Sequence, residues 1–169
     1  MCSEDAVIMI SCFGRQDEEA TRPEEKGMEE GKRKLELLPD INAVCRLDKN
    51  APVPDWATLG PFCSIPRTAH ELSVVCPDAQ VAGGVKKESG WKVLMVQGPL
   101  DFSLTGVLAS LTGPLVREGV SVFALSTYDT DYLLVKEEQL EKAIQVLGTE
   151  GYDVEEGCGG CAEGMTTRP

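Results

Sequence analysis

The chain is short of positive charge, of aromatic rings and of histidine. Its 169 residues carry 16 Lys and Arg against 28 Asp and Glu, giving a formal net charge of -12 and a pI near 4.5. A nucleic-acid partner requires a basic face that displaces counterions from phosphate, and no Lys/Arg cluster here is large enough. The same charge disfavours an anionic membrane surface. At 5% aromatic residues, the chain lacks the stacking platforms of an RNA-recognition sheet. His70 is its single histidine and has no nucleophile placed beside it in sequence. There is no phosphate loop of the GxxxxGK[ST] type and no convincing metal set, so the reading assigns no catalytic residue, no metal and no cofactor.

Long apolar runs are missing too. None approaches the ~20 residues that span a bilayer. The stretch Ala6–Ile10, continuing to Phe13, follows Glu4 and Asp5 where a secretory leader would be basic. The expectation is a cytoplasmic protein without a leader. Its seven cysteines (2, 12, 45, 63, 76, 158 and 161) are odd in number and irregular in spacing, which suits reduced thiols buried as small hydrophobes.

Composition divides the chain. Residues 14–33 are rich in Glu, Lys and Gly, and 1–33 reads as a disordered acidic arm, the Ala6–Phe13 patch excepted. Residues 82–90 read as a polar, Gly-rich break and 155–169 as a flexible tail. Cys158-Gly-Gly-Cys161 falls in that tail. It has no second C-x-x-C and no His pair to complete a zinc site, which leaves a solvated tail, a labile disulfide or adventitious metal binding as its readings.

Between the breaks lie two blocks. In the second, Trp91–Val96 reads as a strand. Leu104, Val107, Leu108, Leu111, Leu115 and Val116 then recur at helical spacing. Ser103 or Asp101 is positioned to cap that helix, Pro114 to loosen its last turn and Gly119 to close it. Val120–Ala124 and Tyr132–Val135 follow as a hairpin, Leu140–Leu147 as a second helix and Tyr152–Val154 as an edge strand. The order β-α-β-β-α-β predicts a ferredoxin-like α+β sandwich over 90–154. The first block, 34–84, gives a shortened version: strand at Leu35–Leu38 and Ile41–Leu47, a short helix at Pro54–Leu59, and a hairpin of Phe62–Arg67 with Glu71–Cys76. A degenerate tandem repeat results.

One corner has parts suited to a small ligand. Gly98-Pro-Leu-Asp-Phe-Ser-Leu-Thr-Gly106 opens the first helix, whose N-terminus is an anion-binding end. The same glycines and proline also suit a compact connection with no ligand. Gly98, Asp101 and Ser103 are its candidates. Asp131 is a carboxylate suited to a ligand cation, or to closing the hairpin. Period two puts Ser121 and Thr127 on one strand face and Ser126 on the other. Trp56 and Trp91 read as core or seam fillers.

Glu71–Cys76, Gly90-Trp91, Gly98–Leu108 and Ser121–Lys136 resemble the short tandem ACT-domain proteins of the CASTOR-related branch, relatives of the cytosolic arginine sensor. The resemblance spans about residues 34–154. It implies ACT folds that pair side by side and bind an amino acid at the seam between units. By position, Ser121 and Val122 match residues meeting the ligand from one unit, and Asp131 an acidic residue meeting its cationic side from another. The sensor has four ACT units where this chain has about two, so the resemblance implies a homodimer. The reading is thus a non-catalytic regulatory or sensor module for an amino acid, cationic ones included. Its alternative is an ACT-fold interaction scaffold without ligand, the protein partner unnamed.

Overall fold

The computed structural model describes residues 33–157. Ala6–Phe13 and the Cys158–Cys161 motif lie outside them. Seven strands, β1 Arg33–Leu37, β2 Asn42–Leu47, β3 Leu72–Pro77, β4 Lys86–Val96, β5 Val122–Ser126, β6 Asp131–Lys136 and β7 Tyr152–Glu156, form one sheet. Two helices, α1 Val107–Arg117 and α2 Leu140–Thr149, complete an α+β fold.

The 11-residue β4 organises the sheet. Its first half, Lys86–Trp91, pairs antiparallel with β2, and its second half, Trp91–Met95, with β6. The expected break at 82–90 is therefore half strand. Lys86–Gly90 bury no continuous apolar face, so hydrophobic patterning misses them; backbone bonding to β2 makes them a strand. Gly90, at φ 79°, lies where the β2–β4 register shifts, a bulge position at which left-handed backbone favours glycine.

The second half matches the expected β-α-β-β-α-β order with one insertion. β6 joins β4 to β5, but β7 does not reach β4: β1 lies between them, antiparallel to β4 and parallel to β7. The side chains of β1 follow that placement. Leu35 is 1% exposed and packs with Leu94, Leu111, Leu115, Leu133, Ala143 and Leu147 beneath the two helices. The strand expected to open the first block thus completes the core of the second.

A separate cluster of Ala43, Cys45, Ala57, Leu72, Val74 and Cys76 forms the first block's core. Asp55–Thr58 is a single 3-10 turn there, and Ala57 is buried in this cluster. Phe62–Arg67 supplies only isolated bridges, Ser64 to Val75 and Arg67 to Leu72, in place of the expected strand. The opposite sheet face unites both blocks through Phe62, Val75, Val93 and Leu134, with Trp91, Phe123 and Tyr132 packed against them. Trp56 and Trp91 both pack against core clusters.

Helix ends follow local chemistry at one end only. At the C-terminus of α1, Val120 N–H donates to the Leu115 carbonyl (2.9 Å) and Gly119 N–H to that of Val116 (3.0 Å). Gly119 has φ 70°, so the pattern is a Schellman close. At the N-terminus neither Ser103 nor Asp101 caps. The helix starts at Val107, three residues later than the Leu104 periodicity suggests, behind Gly106 at φ 78° with no side-chain cap. Asp101 instead closes its own turn: its Oδ1 accepts from Ser103 N–H (2.8 Å), and Leu104 N–H donates to its carbonyl (3.0 Å). An Asx turn competes with helix for the same backbone, and Leu104 is left 40% exposed.

Candidate functional site

Gly98 follows the C-terminal end of β4 and packs against the β5–β6 hairpin. Leu100 N–H donates to the Asp129 carbonyl (2.7 Å), and the buried Thr130 hydroxyl donates to the Val96 carbonyl. A Cβ on Gly98 would lie 2.8 Å from the Asp129 carbonyl oxygen and 3.3 Å from Thr130 Cβ. Glycine is thus required by close approach, and it fixes the loop before α1 against the hairpin.

The hairpin closes with Ser126 opposite Asp131 and Thr127 N–H donating to the Thr130 carbonyl (2.9 Å). Thr127 is exposed, and its hydroxyl also donates to Thr130 O (3.1 Å). Asp131 is half-buried and its Oδ1 accepts from the Ser126 hydroxyl at 2.6 Å. Ser126, which period two puts on the face opposite Ser121 and Thr127, is thus the side chain bonded to Asp131, because cross-strand partners share a face. The cross-strand register is what would have found it.

Gly98, Asp101, Ser103, Thr127 and Asp131 come from two loops at one end of the sheet, the end from which α1 starts. The first-turn N–H groups of α1 have no side-chain cap, which leaves the positive end of its dipole available to an anion. Asp101 is exposed, and its hydrogen bonds from Ser103 hold its carboxyl below the usual range. Ser121 and Val122 stand elsewhere. Val122 begins β5 and Ser121 directly precedes it, roughly 17–20 Å along the chain from Thr127 at ~3.3 Å per residue. Ser121 N–H donates to the Gln139 side chain (3.1 Å) beside the start of α2. One copy therefore does not bring Ser121 and Val122 to Asp131.

Two cavities lie outside the candidate residues, the first reaching Gln97, the neighbour of Gly98. One of about 210 Å³ is bounded by Lys34, Glu36, Gln97 and Glu155 at the β1–β7 end. The other, about 270 Å³, lies between the ends of α1 and α2 near Pro114, Arg117 and Val146. Neither is lined by any of the seven candidates. Among the described residues, no group of three or more His, Cys, Asp or Glu side chains is arranged to hold a metal. No helix among them is long and apolar enough to cross a membrane.

Two comparisons agree with this architecture. A family model for the ACT domain matches residues 86–149, and a second, described as an N-terminal domain, matches 40–83. The chain thus carries an ACT domain over residues 86–149.

A crystal structure of a protein from Agrobacterium tumefaciens is 35% identical, covering 76% of this chain and 96% of that one, with a TM-score of 0.71. The bovine protein named cytosolic arginine sensor for mTORC1 subunit 1 is 37% identical over 78 residues. That match takes in 43% of this chain and 23% of the sensor, so the chain spans about a quarter of that relative's length. The aspartate kinase of Clostridium acetobutylicum shares the fold at 12% identity and a TM-score of 0.52, over 67% of this chain and 33% of the kinase.

Proposed function

We propose that this chain is a cytosolic, non-catalytic amino-acid sensor module that acts as a homodimer, its ligand held at the seam between ACT units of two copies. The carrying observation is the outer edge of β5. Among the described residues β5 pairs only with β6, and its sequence, Val-Phe-Ala-Leu-Ser, holds no charge or proline to guard that edge. The opposite edge, β7, carries Asp153, Glu155 and Glu156, which would repel a second copy of a chain at -12.

Antiparallel pairing of two β5 strands about Ala124 brings the separated candidates together. Val122 then stands opposite Ser126 of the second copy, and Ser121 opposite its Thr127, about 5 Å apart. Ser126 already holds Asp131. The seam thus puts Val122 of one copy on the sheet face that carries Ser126 and Asp131 of the other, with Ser121 beside Thr127 on the opposite face, twice by symmetry. A ligand carboxylate suits the uncapped end of α1 and a ligand cation suits Asp131. A ligand making contacts with both copies stabilises the pair by its differential affinity for that state, which is the regulatory output.

Calorimetric titration of the full chain with the twenty amino acids, alongside Asp131→Ala, tests this reading. Binding by the native chain and its loss in the variant is the expected pair of results. Absence of binding, with no effect of any amino acid on thermal stability or dimerisation, would refute it. One observation favours the ligand-free scaffold as second reading: the carboxylates of Asp101 and Asp131 already accept hydrogen bonds within the chain. Under that reading Asp131→Ala leaves association with a protein partner intact.

A further inference from the structure

The segment ahead of the Thr68–Glu71 turn runs antiparallel to β3, on the side away from β2. Ser64 and Val75 exchange both backbone hydrogen bonds (2.9 and 2.8 Å). Ser73 N–H donates to the Pro66 carbonyl (3.0 Å), and Thr68 N–H to that of Glu71 (2.9 Å). All these contacts keep one register, with Arg67 opposite Leu72 as well. The next pair in it is Cys63 and Cys76. Since Ser64 and Val75 are a hydrogen-bonded pair, Cys63 and Cys76 are of the closer, non-hydrogen-bonded kind, their Cα atoms about 4.5 Å apart. The chain is still beside β3 past that point, because a Cβ on Gly60 would lie 2.6 Å from the Pro77 Cγ.

Opposed residues share a sheet face. Phe62 packs with Val75 on the face that unites the blocks, whereas Ile65 packs against the cluster of Cys45 and Cys76 in the first block's core. Alternation therefore turns Cys63, like Ile65, toward the Cys76 side. Cys63 is exposed and Cys76 is fully buried. Burial pushes the Cys76 thiol up to about 11, and the neighbouring Cys45 and Cys63 thiols push it the same way. Cys45 stands opposite Val74, diagonal to Cys76. Diagonal partners are about 7–8 Å apart, too far to bridge without backbone movement.

We propose that Cys63 and Cys76 form a hydroperoxide-responsive thiol pair, in which the exposed sulfur takes the oxidant and the buried one closes the disulfide. With hydrogen peroxide, the Cys63 sulfur attacks one oxygen. The O–O bond breaks, an S–O bond forms, and the other oxygen leaves as water with the Cys63 proton. The Cys76 sulfur then attacks the Cys63 sulfenic acid. An S–S bond replaces the S–O bond, and the departing oxygen takes the Cys76 proton and leaves as a second water. The two thiols lose two electrons to one peroxide. Burial shields Cys76 from the oxidant itself, which sets the order of the steps. The bridge fastens the segment around Phe62 to β3. Phe62 also meets Tyr132 of β6 with ring centroids 4.9 Å apart, so oxidation stiffens a contact between the blocks.

Reduced full chain treated with hydrogen peroxide, blocked with N-ethylmaleimide and digested without reductant tests the pair by mass spectrometry. The expected product is a linked Cys63–Cys76 peptide that dithiothreitol separates. Cys63→Ser, at an exposed position that keeps the fold, abolishes the link. Cys76→Ala leaves Cys63 as a sulfenic acid trapped by dimedone, and Cys45→Ala leaves the link in place. The oxidised chain unfolds at higher urea than the reduced one, because closing the loop between 63 and 76 restricts the unfolded chain. That shift is absent in Cys63→Ser. Cys63 left unreacted, carried to sulfinic acid beside a free Cys76, or linked to any other cysteine would overturn the proposal.

Discussion

Leu35→Ala is the sharpest test of how the two blocks are joined. Leu35 lies in β1, ahead of the rest of the first block, yet it is 1% exposed within the helical core of the second. Truncation removes three buried carbons between β4 and β7, where strands on both sides restrict collapse. Large-to-small changes at such sites cost about 2–5 kcal/mol, with the upper half expected where the walls cannot close. At ~2–4 °C per kcal/mol for a domain of this size, the midpoint should fall by roughly 5–20 °C. Guanidinium unfolding followed by tryptophan fluorescence is a suitable assay. Trp56 reports on the first block and Trp91 on the face both blocks share. With single-Trp variants as backgrounds, both probes should shift together, since β4 runs through both halves. A loss below about 1 kcal/mol, outside the range for a buried leucine, would refute the placement of β1. A Trp56 transition that did not move would refute the coupling.

Gly98→Ala forces a Cβ to within 2.8 Å of the Asp129 carbonyl oxygen; strain of this kind costs about 1–3 kcal/mol. Thermal denaturation should show the loss, and any amino-acid binding at the corner should weaken with it. The Lys87 hydrogen bond, with help from Ser89, depresses the Asp78 carboxyl below its ordinary 3.8. Its stabilisation is therefore present above the unfolded pKa and is lost as pH falls through the lower folded one. Asp78→Asn should cost about 0.5–1 kcal/mol at neutral pH, and urea titrations should show that deficit vanishing in acid. Burial pushes the Cys76 thiol up to about 11, and burial likewise raises that of Cys45. Alkylation at pH 8 mapped by mass spectrometry should label exposed Cys63 promptly and leave these two protected until unfolding.

Periodicity and end signals sufficed for the elements whose side chains carry the pattern. The apolar stripe from Val107 to Leu115, the Gly119 close, the alternation through β5 and β6, and the second helix are all local features, set by which residues must leave water. The acidic balance likewise argued against nucleic acid from composition alone. Lys86–Gly90 escaped because a strand held by its neighbour's backbone need not bury a face. The start of α1 escaped because the Asp101 side chain offers the backbone a competing turn.

What the tertiary structure alone decided is partnership. Nothing in Arg-Lys-Leu-Glu-Leu says that β1 inserts between β4 and β7, because strand pairing is a long-range choice made by the whole core. Similarly, the sequence placed Ser121, Val122, Thr127 and Asp131 within a dozen residues of each other. An extended strand carries its two ends far apart, so only the fold shows that a single copy separates them. Composition and period determined what kind of domain this is. The pairing of its strands determined which residues can meet, and among the described residues it leaves one edge of β5 unpaired, the edge on which the proposed seam rests.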